Sequence, residues 1–290
     1  MSTPRSGRAT LTAFRAAAHI PRAIWQPCAQ LASLALAARP PKPLRQWAVN
    51  ARVVTGAQPG FKDRYRAQLS WFRNTVGSLQ LGRLTLDQIA GKVDVDPGQL
   101  EALLTSHAER GLVIAIPHMG SWDLAGAYGQ VVGLPVTSVA ERLPAGQYQY
   151  FSALRAKLGM QIYPYDQHGL VETLADDVHS GRVACLVADR DFGRHGLAVS
   201  WPAPGGAREL TVPPGPVLIA QRTGADLVPI AAWFVGNRTH LEIGEPIEHR
   251  PGVDGAGVMA QQMVDFFATQ IAGHVTDWHM MQRFFPGEMA

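Results

Sequence analysis

The chain has few cysteines and no long apolar run, and each absence excludes a class of protein. Cys28 and Cys185 are the only cysteines in 290 residues, too few for a disulfide framework and without metal-ligand spacing. No stretch reaches the roughly 18 apolar residues of a membrane-spanning helix, and no clean apolar region follows the N-terminus as in a secretory signal. Glycine-rich phosphate loops, the dinucleotide-binding glycine fingerprint and the Gly-x-Ser-x-Gly elbow are also missing. We therefore predict no metal site and no cofactor, and a serine hydrolase is disfavoured.

Acidic residues are missing from the N-terminal segment. The first acid is Asp63, although the net charge of the whole chain is only +3. The basic residues before position 53 are Arg5, Arg8, Arg15, Arg22, Arg39, Lys42, Arg45 and Arg52. The apolar residues of this segment include Leu11, Phe14, Ile20, Ile24, Trp25, Leu31, Leu34 and Leu36.

A basic and apolar segment of this kind is typical of a helix that lies on an anionic membrane surface. Its leucine and isoleucine content disfavours an RNA-binding arm, so no nucleic-acid partner is expected. The alternative is a helix packed on the core with solvated arginines. We expect residues 1–43 to attach the protein peripherally to the cytoplasmic side of the inner membrane.

Prolines at 40, 41 and 43 separate this N-terminal segment from a domain predicted over 44–290, helical over 44–110 and α/β over 111–285. Strands are predicted at 112–117, 135–139, 160–164, 183–188, 226–234 and 240–243. Helices are predicted at 122–132, 146–158, 168–180, 213–223 and 257–273. This alternation predicts an α/β fold with a central, mostly parallel or mixed sheet that helices cover on both faces.

A histidine stands in the turn after the first of these strands, in Pro117-His118-Met119-Gly120-Ser121-Trp122-Asp123. On one helix, His118 and Asp123 would lie about 140° apart, so they can meet only if His118 precedes the helix. With Ser121 as the N-cap, Asp123 falls in the first turn and would point back to the imidazole. An acid beside a histidine fixes its tautomer and raises its basicity, which predicts a general base. The alternative is a capping aspartate beside an uninvolved histidine.

Asp189 ends the predicted strand 183–188. Open α/β sheets build their sites at the carboxyl ends of strands, where His118 also stands. If the strands 112–117 and 183–188 are neighbours, Asp189 can reach and orient the imidazole. The alternative is a helix cap or an ion pair with Arg190.

Five motifs in this order resemble a known superfamily. They are Pro117-His118-x-Gly120-x-Trp122-Asp123, Val139-Ala140-Glu141-Arg142-Leu143, Ala188-Asp189-Arg190-Asp191, Pro214-Gly215-Pro216 with Thr223-Gly224-Ala225, and Asp277-Trp278-His279-Met280. Together they resemble the His-x4-Asp acyltransferases of glycerolipid and lipid A biosynthesis, and within them the actinobacterial phosphatidylinositol mannoside acyltransferases. That family has Glu where Asp189 stands, so this side chain is one methylene shorter.

The resemblance implies an O-acyltransferase that moves a fatty acyl chain from acyl-coenzyme A, as co-substrate, to a mannose hydroxyl of a phosphatidylinositol mannoside. It implies that His118 is the general base and that Asp123 and Asp189 hold the imidazole. Three alternatives remain: a different lipid acceptor such as a lysophospholipid, a thioesterase, and a non-catalytic lipid-binding relative.

Substrate contacts are predicted at Gly120, Glu141, Arg142, Arg155 and His279. The two arginines match phosphate geometry, although Glu141 could instead neutralise Arg142 in a surface ion pair. The turn at Gly120 could donate amides to the oxyanion of the tetrahedral intermediate. His279 is either a substrate contact or a capped histidine beside a packed tryptophan.

Overall fold

A computed structural model describes residues 4–142, 146–191 and 195–290, and describes side chains from residue 11 onward within these ranges. Leu143 and the side chains of Arg5 and Arg8 lie outside the described residues. The helices are α1 (Pro4–Ala17), α2 (Arg22–Ala38), α3 (Lys42–Thr55), α4 (Phe61–Gln80), α5 (Leu86–Ala90), α6 (Pro97–Arg110), α7 (Trp122–Val131), α8 (Gln147–Ala156), α9 (Leu170–His179), α10 (Gly215–Thr223) and α11 (Gly252–Gly273). The strands are β1 (Val93–Val95), β2 (Leu112–Ile116), β3 (Val136–Ala140), β4 (Gln161–Pro164), β5 (Val183–Val187), β6 (Leu197–Trp201), β7 (Arg208–Val212), β8 (Asp226–Val235) and β9 (Arg238–Ile243).

Seven of these strands form one mixed sheet, in the order β1-β9-β8-β2-β5-β3-β4. The described pairs are parallel except for β8 and β9, which run antiparallel and are joined through Gly236 and Asn237. The predicted α/β fold with a mostly parallel sheet is confirmed. The central strand β2 lies between β8 and β5, so the turn that follows β2 opens at the middle of the sheet edge.

Helices cover both faces of the sheet, and the central strand shows why. β2 is apolar at every position and buried throughout, as expected of a parallel strand between two layers. Val113 and Ala115 face a core formed with α9, α10 and α11. Leu112, Ile114 and Ile116 face a second core that includes residues of α5, α6 and α7. Because side chains alternate along the strand, β2 contributes residues to two separate hydrophobic cores, one on each face of the sheet.

Three strands, β1, β6 and β7, were not predicted from the sequence. β1 lies inside the region predicted to be helical, and its three residues are too few to show a period. It exists because Val93 pairs in parallel with Thr239, far away in the chain. β6 and β7 form a separate antiparallel pair. Their buried residues alternate, at Val199 and Trp201 on β6 and at Leu210 and Val212 on β7, so a period-two pattern could have identified them.

The helical N-terminal part packs against the C-terminal end of the chain. The Trp47 indole donates to the carbonyl of Trp278 (3.0 Å), and the Asn50 amide donates to the carbonyls of Met280 (2.9 Å) and Gln282 (2.7 Å). The predicted boundary between 43 and 44 falls inside the first turn of α3, where a proline costs no backbone hydrogen bond. These contacts bring α3 next to the segment that carries His279.

Helix α2 has one packed face and one exposed apolar face. Ala29, Ser33 and Ala37 are buried, and α2 packs against α4. Ile24 and Leu31 on the other side are 59% and 67% exposed. In the part of the chain that the structure describes, none of the helices combines the length and hydropathy needed to cross a bilayer.

Candidate active site

His118 and Asp189 meet at the carboxyl ends of two adjacent strands. β2 and β5 pair in parallel, with Ile116 opposite Val187. The residues just beyond these ends therefore lie side by side. The Asp189 Oδ1 is 2.6 Å from the His118 Nδ1, and the His118 amide donates to the other oxygen at 3.1 Å. The strands are neighbours, as the predicted contact required.

Asp189 is fully buried and accepts a third hydrogen bond. The Trp278 indole Nε1 donates to its Oδ2 at 3.0 Å. Burial by itself would raise the pKa of Asp189, but the positive charge of a protonated His118 and the hydrogen bonds from His118 and Trp278 outweigh it and hold the pKa below its usual value. An ionised carboxylate can only accept. The His118 Nδ1 therefore carries a proton and donates it to Asp189, so in the neutral imidazole Nε2 is the nitrogen with the free lone pair.

His118 lines a cavity of about 910 Å³. Its side chain is about one quarter exposed and makes an edge-to-face contact with Trp122, with 5.5 Å between ring centroids. Apolar side chains from α9, β5 and α10 line part of the cavity, namely Leu170, Val171, Leu174, Leu186, Val187 and Ile219. The His118 imidazole thus borders a space large enough for a substrate of drug size or larger.

Asp123 has a different partner from the one predicted. It lies in the first turn of α7, as expected, but its carboxylate receives two hydrogen bonds from Arg155 of α8, at 2.8 and 3.1 Å. The prediction that Asp123 lies against the imidazole is therefore wrong. The carboxylate that is hydrogen-bonded to the His118 Nδ1 is that of Asp189. Ser121 stands at the N-cap position but makes no capping bond. Arg155, a predicted anion binder, lines the cavity with its guanidinium engaged by Asp123.

The Gly120 amide is already used. It donates to the carbonyl of Asp277 at 2.8 Å, so it cannot be the predicted donor to an oxyanion. Gly120 has φ of 58°, and a Cβ there would lie 2.4 Å from the Ala232 carbonyl oxygen of β8. Glycine is needed because the turn approaches β8 closely and takes a left-handed conformation. The first-turn amides of α7 have no intrahelical acceptor, so they are other donors close to this turn.

A C-terminal strap, Asp277–His279, holds the turn of His118. Met119 and Trp278 form an antiparallel bridge, and the His279 amide donates to the His118 carbonyl at 2.8 Å. Each side chain of the strap is anchored elsewhere. Trp278 binds Asp189, while Asp277 accepts from the Ser70 hydroxyl and from the Phe234 amide. Burial raises the pKa of Asp277.

His279 is part of this packing. It is buried, contacts the Trp122 ring, and its Nε2 lies 2.9 Å from the Ser70 hydroxyl. Burial, and secondarily the charge of His118, lowers the pKa of His279 to about 3. The ring is therefore neutral near pH 7, and the packed-histidine alternative describes it better than a substrate contact. The sequence could not show this role, because Ser70 lies 209 residues away.

The predicted anion site around Arg142 is arranged differently. Arg142 pairs with Asp166 at 2.7 Å, with both side chains about half exposed, and not with Glu141. Glu141 lines the cavity, as does Arg190, which was considered only as a partner of Asp189. Burial lowers the pKa of Arg190, against the opposing influence of Asp189 and Glu141. Arg190 was not predicted as a cavity residue, although its position just after a strand end could have identified it.

The placement of Cys185 and of the metal-ligating side chains bears on thiol and metal chemistry. Burial raises the pKa of the Cys185 thiol, in β5, to about 12, so it remains protonated near neutral pH. Within the described ranges, no three His, Cys, Asp or Glu side chains are placed to hold a metal ion.

Comparison with known proteins assigns the family. The sequence profile of bacterial lipid A biosynthesis acyltransferases matches residues 85–286, a range that contains His118, Asp189 and the strap. The phosphatidylinositol mannoside acyltransferase of Mycobacterium tuberculosis H37Rv is 34% identical over 211 residues, 72% of this chain and 63% of that protein. The protein of the same name from Mycolicibacterium smegmatis is 35% identical over 178 residues, 60% of this chain and 57% of that protein. The match thus spans less than two thirds of these relatives. The chain belongs to the bacterial lipid A biosynthesis acyltransferase family.

Proposed function

We propose that the protein is an O-acyltransferase that transfers a fatty acyl chain from acyl-coenzyme A to a mannose hydroxyl of a phosphatidylinositol mannoside. The observation that carries the proposal is His118, a cavity residue whose Nδ1 is held by a buried, ionised Asp189. The acceptor is supported by the two mycobacterial relatives, which are named for it.

The His118 Nε2 is the general base in this reaction. It takes the proton of the mannose hydroxyl while the oxygen attacks the thioester carbonyl. The tetrahedral intermediate collapses as the carbon–sulfur bond breaks, and the leaving thiolate takes the proton from Nε2. Ester and free coenzyme A are the products, and the imidazole returns to its starting state. Asp189 stabilises the imidazolium that forms between the two proton transfers.

Two further features support the donor half of the reaction. The apolar wall formed by α9, β5 and α10 suits an acyl chain, and the cavity of about 910 Å³ lies at the upper end of the usual range for ligand pockets, about 300–1,000 Å³. Trp122 and Asp123 lie in the cavity wall at the start of α7. Their amides would stabilise the oxyanion in place of the Gly120 amide.

We also propose peripheral attachment to the cytoplasmic side of the inner membrane through α1 and α2. The exposed residues Ile24, Leu31 and Leu34 follow helical spacing and share one face of α2. Arg15 and Arg22 are exposed nearby, and no acid precedes Asp63. Apolar insertion and attraction to anionic lipid would act together, with about 1 kcal/mol for each basic residue near the surface.

Radiolabelled palmitoyl-coenzyme A tests the reaction. The purified protein is incubated with it and, in parallel, with a phosphatidylinositol mannoside, a lysophospholipid, or buffer alone. Labelled phosphatidylinositol mannoside as the main product supports the proposal. Transfer mainly to the lysophospholipid would support a different lipid acceptor. Hydrolysis alone would support a thioesterase, and no turnover would support a non-catalytic lipid-binding protein. His118→Ala serves as the matched control for contaminating activity.

Vesicle cosedimentation tests the membrane contact. Replacing Arg15 and Arg22 with Glu should weaken binding to anionic vesicles, while replacing Arg222 and Arg250 with Glu makes the same change in charge on α10 and before α11. Both control arginines are exposed and make surface ion pairs, which contribute little to stability. Equal loss in both variants would mean that only the total charge matters, and no loss in either would place the contact elsewhere.

A further inference from the structure

One wall of the cavity has no role in the reaction described above. Helix α4 contributes Trp71, Asn74, Thr75 and Ser78 to the lining. Their spacing of three, four and seven residues puts them on one face of the helix. This α4 wall faces the same cavity as His118, but none of its four side chains is needed for proton transfer.

Asn74 is the informative member of the α4 wall. It is only 5% exposed, and its Oδ1 has no hydrogen-bond partner among the described residues. Buried side-chain amides are normally satisfied, so an unsatisfied one needs an explanation such as a ligand or a water molecule. Because Asn74 also lines the cavity, a rotation of its side chain would bring the enclosed Oδ1 to a donor of a bound ligand.

The chemistry of the α4 wall suits a sugar better than a phosphate or an acyl chain. Its four side chains are an indole, an amide and two hydroxyls, all uncharged. The Thr75 hydroxyl donates to the Trp71 carbonyl at 2.9 Å and can still accept. Arg73, the nearest cation on this helix, is turned away and stacks on Phe234, 3.9 Å from the ring centroid. The anionic parts of the donor would therefore need cations on elements other than α4.

We propose that the α4 wall is the sugar subsite, with the Asn74 amide accepting a hydrogen bond from a ring hydroxyl and the Trp71 indole packing on the apolar face of the pyranose. This inference rests on the proposed function, since it names where the acceptor sugar binds. The adjacent Ser70 of α4 anchors the strap through Asp277 and His279. One helix thus fixes both the sugar and the turn of His118, which sets the distance between hydroxyl and base.

Steady-state kinetics of Asn74→Ala test the subsite. The KM for phosphatidylinositol mannoside should rise about tenfold, the equivalent of about 1.4 kcal/mol. The KM for palmitoyl-coenzyme A and its slow hydrolysis, in which water replaces the sugar, should stay unchanged. Gly77→Ala is the matched control, because a Cβ at Gly77 on the same helix meets nothing within 4 Å.

Thr75→Val provides a second variant of unchanged shape, which keeps the test valid if Asn74→Ala folds poorly. It should raise the acceptor KM about threefold, and methyl α-D-mannopyranoside should inhibit the wild type more strongly than either variant. Unchanged acceptor KM and unchanged inhibition in both variants would overturn the sugar subsite while leaving the transferase reaction intact. A wild type that transfers nothing to any mannoside would instead overturn the proposed function.

Discussion

Asp189 and Asp123 are two nearly buried carboxylates, 0% and 7% exposed, in two regions of the same site. Asp189, at the end of β5, binds the His118 imidazole, whereas Asp123, at the start of α7, binds the Arg155 guanidinium. A histidine exchanges protons near neutral pH, but an arginine does not. The partner therefore decides what each carboxylate does. Asp189 orients the His118 imidazole and stabilises its protonated form, whereas Asp123 joins α7 to α8 in the cavity wall.

The largest effect in this comparison should come from His118→Ala. Loss of a general base typically lowers the rate by about 10²–10⁴-fold, so kcat for transfer should fall at least about a hundredfold. The protein should lose only about 1–3 kcal/mol of unfolding free energy, because Asp189 keeps two of its three donors. Initial rates with labelled acyl donor and urea unfolding measure the two quantities. Transfer near the wild-type rate would exclude His118 as the base.

Asp189→Asn should give the next largest loss. The amide keeps the shape but loses the charge that stabilises the imidazolium, so kcat should fall about 10- to 100-fold, with little change in donor KM. Asp189→Glu should recover much of the activity, since the resembling family carries Glu at this position. Full activity in Asp189→Asn would reduce this carboxylate to a packing role. Equal losses in the Asn and Glu variants would show that geometry matters more than charge.

The ion pair of Asp123 should respond in a different way. Asp123→Ala or Arg155→Ala leaves a largely buried charge without its partner and should cost about 3–5 kcal/mol of unfolding free energy. The double variant should cost less than the sum of the two, because the residues act as a pair. Urea unfolding of all four proteins gives the coupling energy. Additive losses would mean that the pair does not act as a unit in solution. A fall in kcat of Asp123→Ala as large as that expected of Asp189→Asn would assign Asp123 to the base after all.

The sequence predicted the position of His118 and Asp189 well because strand ends are local features. Apolar runs of the β2 and β5 type are visible directly, and parallel neighbours bring their ends together. It could not assign the partner of Asp123, because helical phase restricts direction but does not identify Arg155. The strap was visible only as a motif, since its contacts with Ser70 and Phe234 join distant parts of the chain. For the same reason β1 was missed, whereas the alternating β6 and β7 were detectable.

The smallest expected effect concerns acid stability and separates Asp189 from an ordinary packed residue. Its pKa is lower in the folded protein than the value of about 3.9 in an unfolded chain. On acidification the unfolded state therefore binds more protons, so the stabilisation by the carboxylate is complete above about pH 5 and is lost as the pH falls through the folded pKa. Asp189→Asn should be less stable than the wild type by about 1–3 kcal/mol at pH 7. That difference should shrink below about pH 4 in urea titrations run at several pH values. A difference that stays constant down to the acid limit of folding would mean that Asp189 is not ionised in the native protein, and the Nδ1 proton of His118 would then need another explanation.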